Sequence, residues 1–173
     1  MQNLNKKFLE FKNIGWVKFE KFLTKKQVNY YKNKINSSLK KNHKKYNGRD
    51  INYASDKVKL NQINSFHKMH DFKWVKKFSK SKKINHLAKI FLKGSKPELR
   101  ASEVFFKPKK HGLKAPIHQD NFYWNLINPN ALTMWIAIDK ADKINGSLDY
   151  LIGSHHRLFR HQASNAPGSS QKV

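Results

Sequence analysis

Residues 116–156 read PIHQDNFYWNLINPNALTMWIAIDKADKINGSLDYLIGSHH, and this stretch decides the fold. Together with residues 100–107 (RASEVFFK), segments 115–121, 131–138 and 147–152 form a set of short runs. As a set they are rich in β-branched and aromatic residues and are separated by Pro, Gly or Asn-Gly turns, the texture of successive strands. If 115–120 is a strand, His118 and Asp120 share its inward face and Gln119 points away. An imidazole and a carboxylate so placed supply two of the three ligands of a two-His-one-carboxylate iron site.

Upstream the pattern changes from period two to period three or four. Residues 13–18 (NIGWVK) read as a short strand, followed by a turn at Phe22–Leu23. Thr24 then caps a helix, with Gln27 at the capping-box position. That helix runs to about Lys40, carrying Val28, Tyr31, Ile35 and Leu39 on one face. Residues 41–55 are polar, with a turn at Asn47-Gly48, and further short helices fit 71–79 and 81–93, the second capped by Ser81 and stopped by Gly94. The tail 164–173 reads as loop. Helices come first and strands second. The expectation is one α+β domain over residues 1–173, mostly helical and basic in 1–97 and strand-forming in 98–173.

The 173 residues are 38% hydrophobic and 13% aromatic, enough for a core and too rich for a disordered chain. The absence of cysteine excludes a disulfide scaffold, a thiolate zinc site and a cysteine nucleophile. No run approaches the roughly 18 apolar residues of a membrane helix, and the N-terminus has no apolar signal core. A cytoplasmic protein without a membrane partner is the default expectation.

The net charge of +25 invites a polyanion reading. Residues 1–100 hold 27 of the 36 basic residues, and only Arg49, Arg100, Arg157 and Arg160 are arginine. Base-reading surfaces use arginine's bidentate fork, so this lysine excess argues against nucleic acid as the partner. Lysine abundant alongside Asn, Ile and Phe reads as coding bias on solvated helix faces.

The order H-x-D, apolar strand containing Trp135, then Asn145-Gly146-Ser147-Leu148 and Gly153-Ser154-His155, resembles the phytanoyl-CoA dioxygenase family of Fe(II)- and 2-oxoglutarate-dependent oxygenases. The resemblance is close over about residues 100–165. It implies a double-stranded β-helix (jelly-roll or cupin-like barrel) with the N-terminal helices packed on it. It implies Fe(II) held by His118 and Asp120, and 2-oxoglutarate as co-substrate beside Trp135, with Gln119 and Tyr123 as pocket-wall residues. His155, His156 and His161 are expected to be loop residues rather than iron ligands. Retention of Asp120 points to hydroxylation, since related halogenases carry a small residue there.

The implied reaction hydroxylates a small organic or lipid-like substrate with O2, while 2-oxoglutarate is decarboxylated to succinate and CO2. The family's second histidine and its 2-oxoglutarate-binding arginine would lie beyond Val173. The resemblance therefore implies a C-terminally truncated member with an incomplete barrel, inactive and poorly soluble by itself. The alternatives are a non-catalytic basic binding module and a degenerate pseudoenzyme of the same fold.

Overall fold

A computed structural model describes residues 3–127, 130–163 and 171–172. Five helices and five short strands are described, an α+β composition. Helix α1 (Leu4–Ile14) corrects the strand expected at 13–18. Asn3 accepts a hydrogen bond from the Lys6 amide at its start, and Gly15, at φ 93°, donates to Phe11 O at its end. Between these caps Phe8 and Phe11 lie one turn apart and meet the ring of Phe91 edge-on, at 6.0 and 5.0 Å. Capping and aromatic packing at period 3.6 outweigh the strand preference of Ile14, while Trp16 and Val17, beyond the Gly15 cap, carry neither helix nor strand.

Helix α2 (Lys25–Asn42) forms as its sequence requires: the Thr24 hydroxyl accepts from Gln27 N and the Gln27 side chain accepts from Thr24 N. It buries Ile35 and Leu39. Helices α3 (Lys73–Ser79) and α4 (Lys82–Phe91) follow, burying Val75 and then Leu87, Ala88 and Phe91.

Strands β1 (Ile51–Tyr53), β2 (Ile63–Phe66) and β3 (Val104–Phe105) make an antiparallel sheet in the order β1-β2-β3, with a bulge at Asn52/Tyr53. All four residues of β2 are buried, and Phe66 is wholly inaccessible. Ile35, Leu39, Ile51, Ile63, Phe66, Met69 and Val75 form the core between this sheet and α2 and α3. The first strand falls in the stretch read as polar and the second where no element is expected, and both hold because their polar side chains satisfy one another. Asn52 Nδ2 donates to Ser65 Oγ at 3.0 Å, and Ser65 Oγ lies 3.0 Å from His67 Nε2. His67 Nδ1 meets Glu103 at 3.1 Å. This chain has the order of nucleophile, base and carboxylate, but Ser65 is 2% exposed and offers no face to a substrate. It serves the sheet.

The barrel expected over 98–173 is not formed among the described residues. Of 100–107 only β3 pairs, and it pairs with β2 of the N-terminal half. Residues 115–121, 131–138 and 147–152 carry no strand ladder. Exposure alternates along Ala131–Ile138, as for an extended chain with one face turned inward, but no neighbouring strand supplies the hydrogen bonds that would make it β structure. Every buried residue among those described lies between Ile35 and Phe91. The tail expected as loop falls outside the described residues, except for β5 (Gln171–Lys172), which pairs antiparallel with β4 (Gln162–Ala163). No helix of the described residues is long and apolar enough to cross a membrane.

Candidate metal centre

His118 and Asp120 are brought together by one extended residue. Gln119 has φ −108° and ψ 131°, so its neighbours face the same way even though no strand forms, and helix α5 (Asp120–Trp124) begins immediately afterwards. His118 Nε2 lies 3.5 Å from Asp120 Oδ1, with the two side chains 31% and 42% exposed. Arg100 steadies the far end of α5 by donating to Trp124 O at 3.0 Å.

The hydrogen bonds fix which atoms are available. His118 Nδ1 is 2.8 Å from Pro116 O, an acceptor only, so Nδ1 carries a proton and Nε2 presents its lone pair to the carboxylate. Two acceptors facing at 3.5 Å need a cation between them, either a proton or a metal. The proton's preference is visible in both groups. The hydrogen bond to Asp120 raises the His118 pKa against the opposing effect of burial, with Pro116 O adding to the rise. The hydrogen bond to His118 lowers the Asp120 pKa, burial opposes, and Thr133 assists. A carbonyl on the remote ring nitrogen is also the usual second partner of a metal-bound histidine. Adjacent donors on a divalent ion at about 2.1 Å each stand about 3 Å apart, so the pair fits a shared cation with a small adjustment. Among the described residues, no group of three His, Cys, Asp or Glu side chains could hold a metal.

The Thr133 hydroxyl donates to Asp120 Oδ2 at 2.5 Å. The period-two exposure of Ala131–Ile138 puts Trp135, 46% exposed, on the same face as Thr133. Tyr123 meets the His118 ring edge-on at 5.6 Å. Gln119 faces the other way, where its amide is used in full: Nε2 donates to Ser154 O and Arg157 O, and Oε1 accepts from Phe159 N. Its side chain clips the 154–159 loop to the back of the pair.

Two nearby histidines, His155 and His161, are held by backbone. His161 Nε2 accepts from Gln119 N at 2.9 Å and Nδ1 donates to Phe159 O at 3.0 Å, so one tautomer satisfies both contacts and leaves no lone pair for a metal. Its ring stacks on Phe122. His155 Nε2 donates to Lys12 O at 2.9 Å, and Gly153 N donates to Ile14 O at 3.1 Å, docking the Gly-Ser-His loop on the last turn of α1. His156 packs against the His155 ring at 3.8 Å.

Sequence reasoning missed Thr133, Tyr150 and the position of Trp16. Thr133 shares a strand face with Trp135, a signal that was present. Tyr150 stacks on Trp16 at 5.8 Å, and burial, followed by the Asp120 charge, raises its phenol pKa. The Trp16 indole nitrogen is buried with no hydrogen-bond partner among the described residues. Nothing local in the sequence joins positions 16, 120 and 150.

A family model for phytanoyl-CoA dioxygenase (PhyH) matches residues 11–171. No curated protein and no solved structure matches the chain.

Proposed function

The chain belongs to the phytanoyl-CoA dioxygenase family, whose members are Fe(II)- and 2-oxoglutarate-dependent oxygenases, and we propose that it is such an enzyme, hydroxylating a small organic or lipid-like substrate. The observation that carries this reading is the His118–Asp120 pair, preorganised by Pro116 O on one side and the Thr133 hydroxyl on the other. His118 Nε2 and Asp120 Oδ1 are the atoms that would hold the iron. Bound there, Fe(II) and 2-oxoglutarate would supply the oxidising power, with the co-substrate decarboxylated to succinate and CO2 at the expense of O2. The protein's own residues bind, orient and exclude water. Trp135 and Tyr123 would line the co-substrate pocket, and Gln119 holds the loop behind it. The family's cupin-like barrel would recruit the alternating segment 131–138 as one of its strands.

Anaerobic titration with Fe(II) and 2-oxoglutarate tests the assignment. In a protein that also carries the family's second histidine and its arginine, the visible charge-transfer band of the chelate should appear, and it should vanish there in His118→Ala and in Asp120→Ala. A band that survives both substitutions refutes it.

A second reading, a basic binding module on a catalytically degenerate fold, has one observation behind it. Helices α2, α3 and α4 carry twelve lysines and no Asp or Glu. It requires polyanion binding that weakens steeply between two salt concentrations and is indifferent to Asp120→Ala.

A further inference from the structure

We propose that Thr133 is the positioning residue of the His118–Asp120 pair. Its hydroxyl holds Asp120 Oδ2 so that Oδ1 is presented, with His118 Nε2, to one divalent cation. The inference rests on the metal reading above and adds to it a residue that touches neither metal nor co-substrate.

The argument starts from what Asp120 lacks. It stands at the first position of a five-residue helix, and its side chain is 42% exposed. The terminal torsion of aspartate is broad and roughly two-fold, so an unheld carboxylate samples many orientations and fills its lone pairs with water. Thr133 removes that freedom from one side. Its 2.5 Å hydrogen bond occupies Oδ2 and leaves Oδ1 facing His118 Nε2 at 3.5 Å. The two ligands are thus held alike: His118 is fixed through Nδ1 by Pro116 O, and Asp120 through Oδ2 by Thr133. Threonine suits the task because branching at Cβ restricts χ1, so the hydroxyl has few directions to choose from. Hydrogen bonds to ligating carboxylates commonly govern metal affinity. Thr133 also comes from the alternating segment that bears Trp135, so the contact ties the metal ligand to a wall of the proposed co-substrate pocket.

The test is Mn(II) binding by the whole chain after treatment with chelator, read from the electron paramagnetic resonance of free Mn(II). Wild type is compared with Thr133→Val, Thr133→Ser, Asp120→Ala and His118→Ala. Thr133→Val keeps the shape and removes the hydroxyl. It should weaken Mn(II) binding about 10- to 100-fold, while Thr133→Ser stays within about threefold of wild type. Thr133 is exposed, so its variants should fold, as circular dichroism verifies, and Thr133→Ala repeats the hydroxyl deletion. If Thr133→Val binds like wild type while Asp120→Ala loses binding, the positioning role is overturned and the metal reading stands. Serine as weak as valine also overturns it. Unaltered binding by both Asp120→Ala and His118→Ala removes the metal reading and this inference with it.

Discussion

Replacing Gly15 by alanine tests the docking that joins the two ends of the chain. Gly15 ends α1 at φ 93°, a conformation costing an L-residue about 1–2 kcal/mol. A Cβ there would also run into the His155 ring, whose Nε2 donates to Lys12 O. Displacing the ring loses that hydrogen bond, a further loss of about 1 kcal/mol. The expected cost is thus about 2–3 kcal/mol, or a fall in Tm of about 5–10 °C for a chain of this size. Thermal unfolding of Gly15→Ala, His155→Ala and the double variant separates the parts. Without the imidazole only the backbone strain remains, so the pair should be non-additive by about 1 kcal/mol. Additivity within about 0.3 kcal/mol would refute the close approach, and with it the structural role of His155.

Phe66→Ala empties the centre of the core, where the ring is inaccessible and meets Tyr46 at 4.8 Å, and should cost about 3–5 kcal/mol in urea unfolding. A loss below about 1 kcal/mol would place the core elsewhere. Thr24→Ala removes the hydroxyl half of the α2 capping box and should cost about 1 kcal/mol by the same assay; no change would mean that water caps the helix equally well. In chelator, the stability that the His118–Asp120 pair lends depends on pH in a fixed direction. The raised His118 pKa makes its contribution complete below about pH 6.5 and lost as pH rises through the folded value; the lowered Asp120 pKa makes its contribution complete above about pH 4 and lost as pH falls. The advantage of wild type over Asp120→Asn should therefore be largest between those limits, and an advantage undiminished at pH 9 contradicts the pairing.

What the sequence disclosed follows the range of the interactions involved. Helix α2 was legible because Thr24 and Gln27 bond within one turn, and the stop after α4 because Gly94 takes φ 83° locally. The His118–Asp120 pair was legible for the same reason: a single extended residue sets it. Helix α1 was not foreseen although Asn3 and Gly15 cap it, because the aromatic packing that favours helix comes from Phe91, some eighty residues away. Strands β1 and β2 were hidden because Asn52 and Ser65 disfavour strands by themselves and are satisfied only across the sheet and by His67. The partner of His155, Lys12 O, lies near the opposite end of the chain, beyond any local signal.

The buried residues and the candidate centre occupy different stretches of chain, and this separates stability from affinity. The core lies within residues 35–91, whereas the candidate centre is built from residues 116–161, none of which is buried among those described. The second stretch is fastened to the N-terminal half by Ile138 packed on the core, by the stack of Trp16 on Tyr150, and by polar contacts: Gly153 to Ile14, His155 to Lys12, and Lys32 to Asp139 at 2.6 Å. The last of these is exposed and is worth at most about 1 kcal/mol. Within the candidate centre, the 3.5 Å spacing of His118 and Asp120 depends on the backbone of Gln119, on Pro116 O and on Thr133, none of which belongs to the core cluster. A core substitution such as Phe66→Ala should therefore lower the unfolding midpoint while native molecules keep their metal affinity. Thr133→Val should do the reverse. A single substitution that moved both together would show that the centre draws its geometry from the core, against the independence these contacts imply.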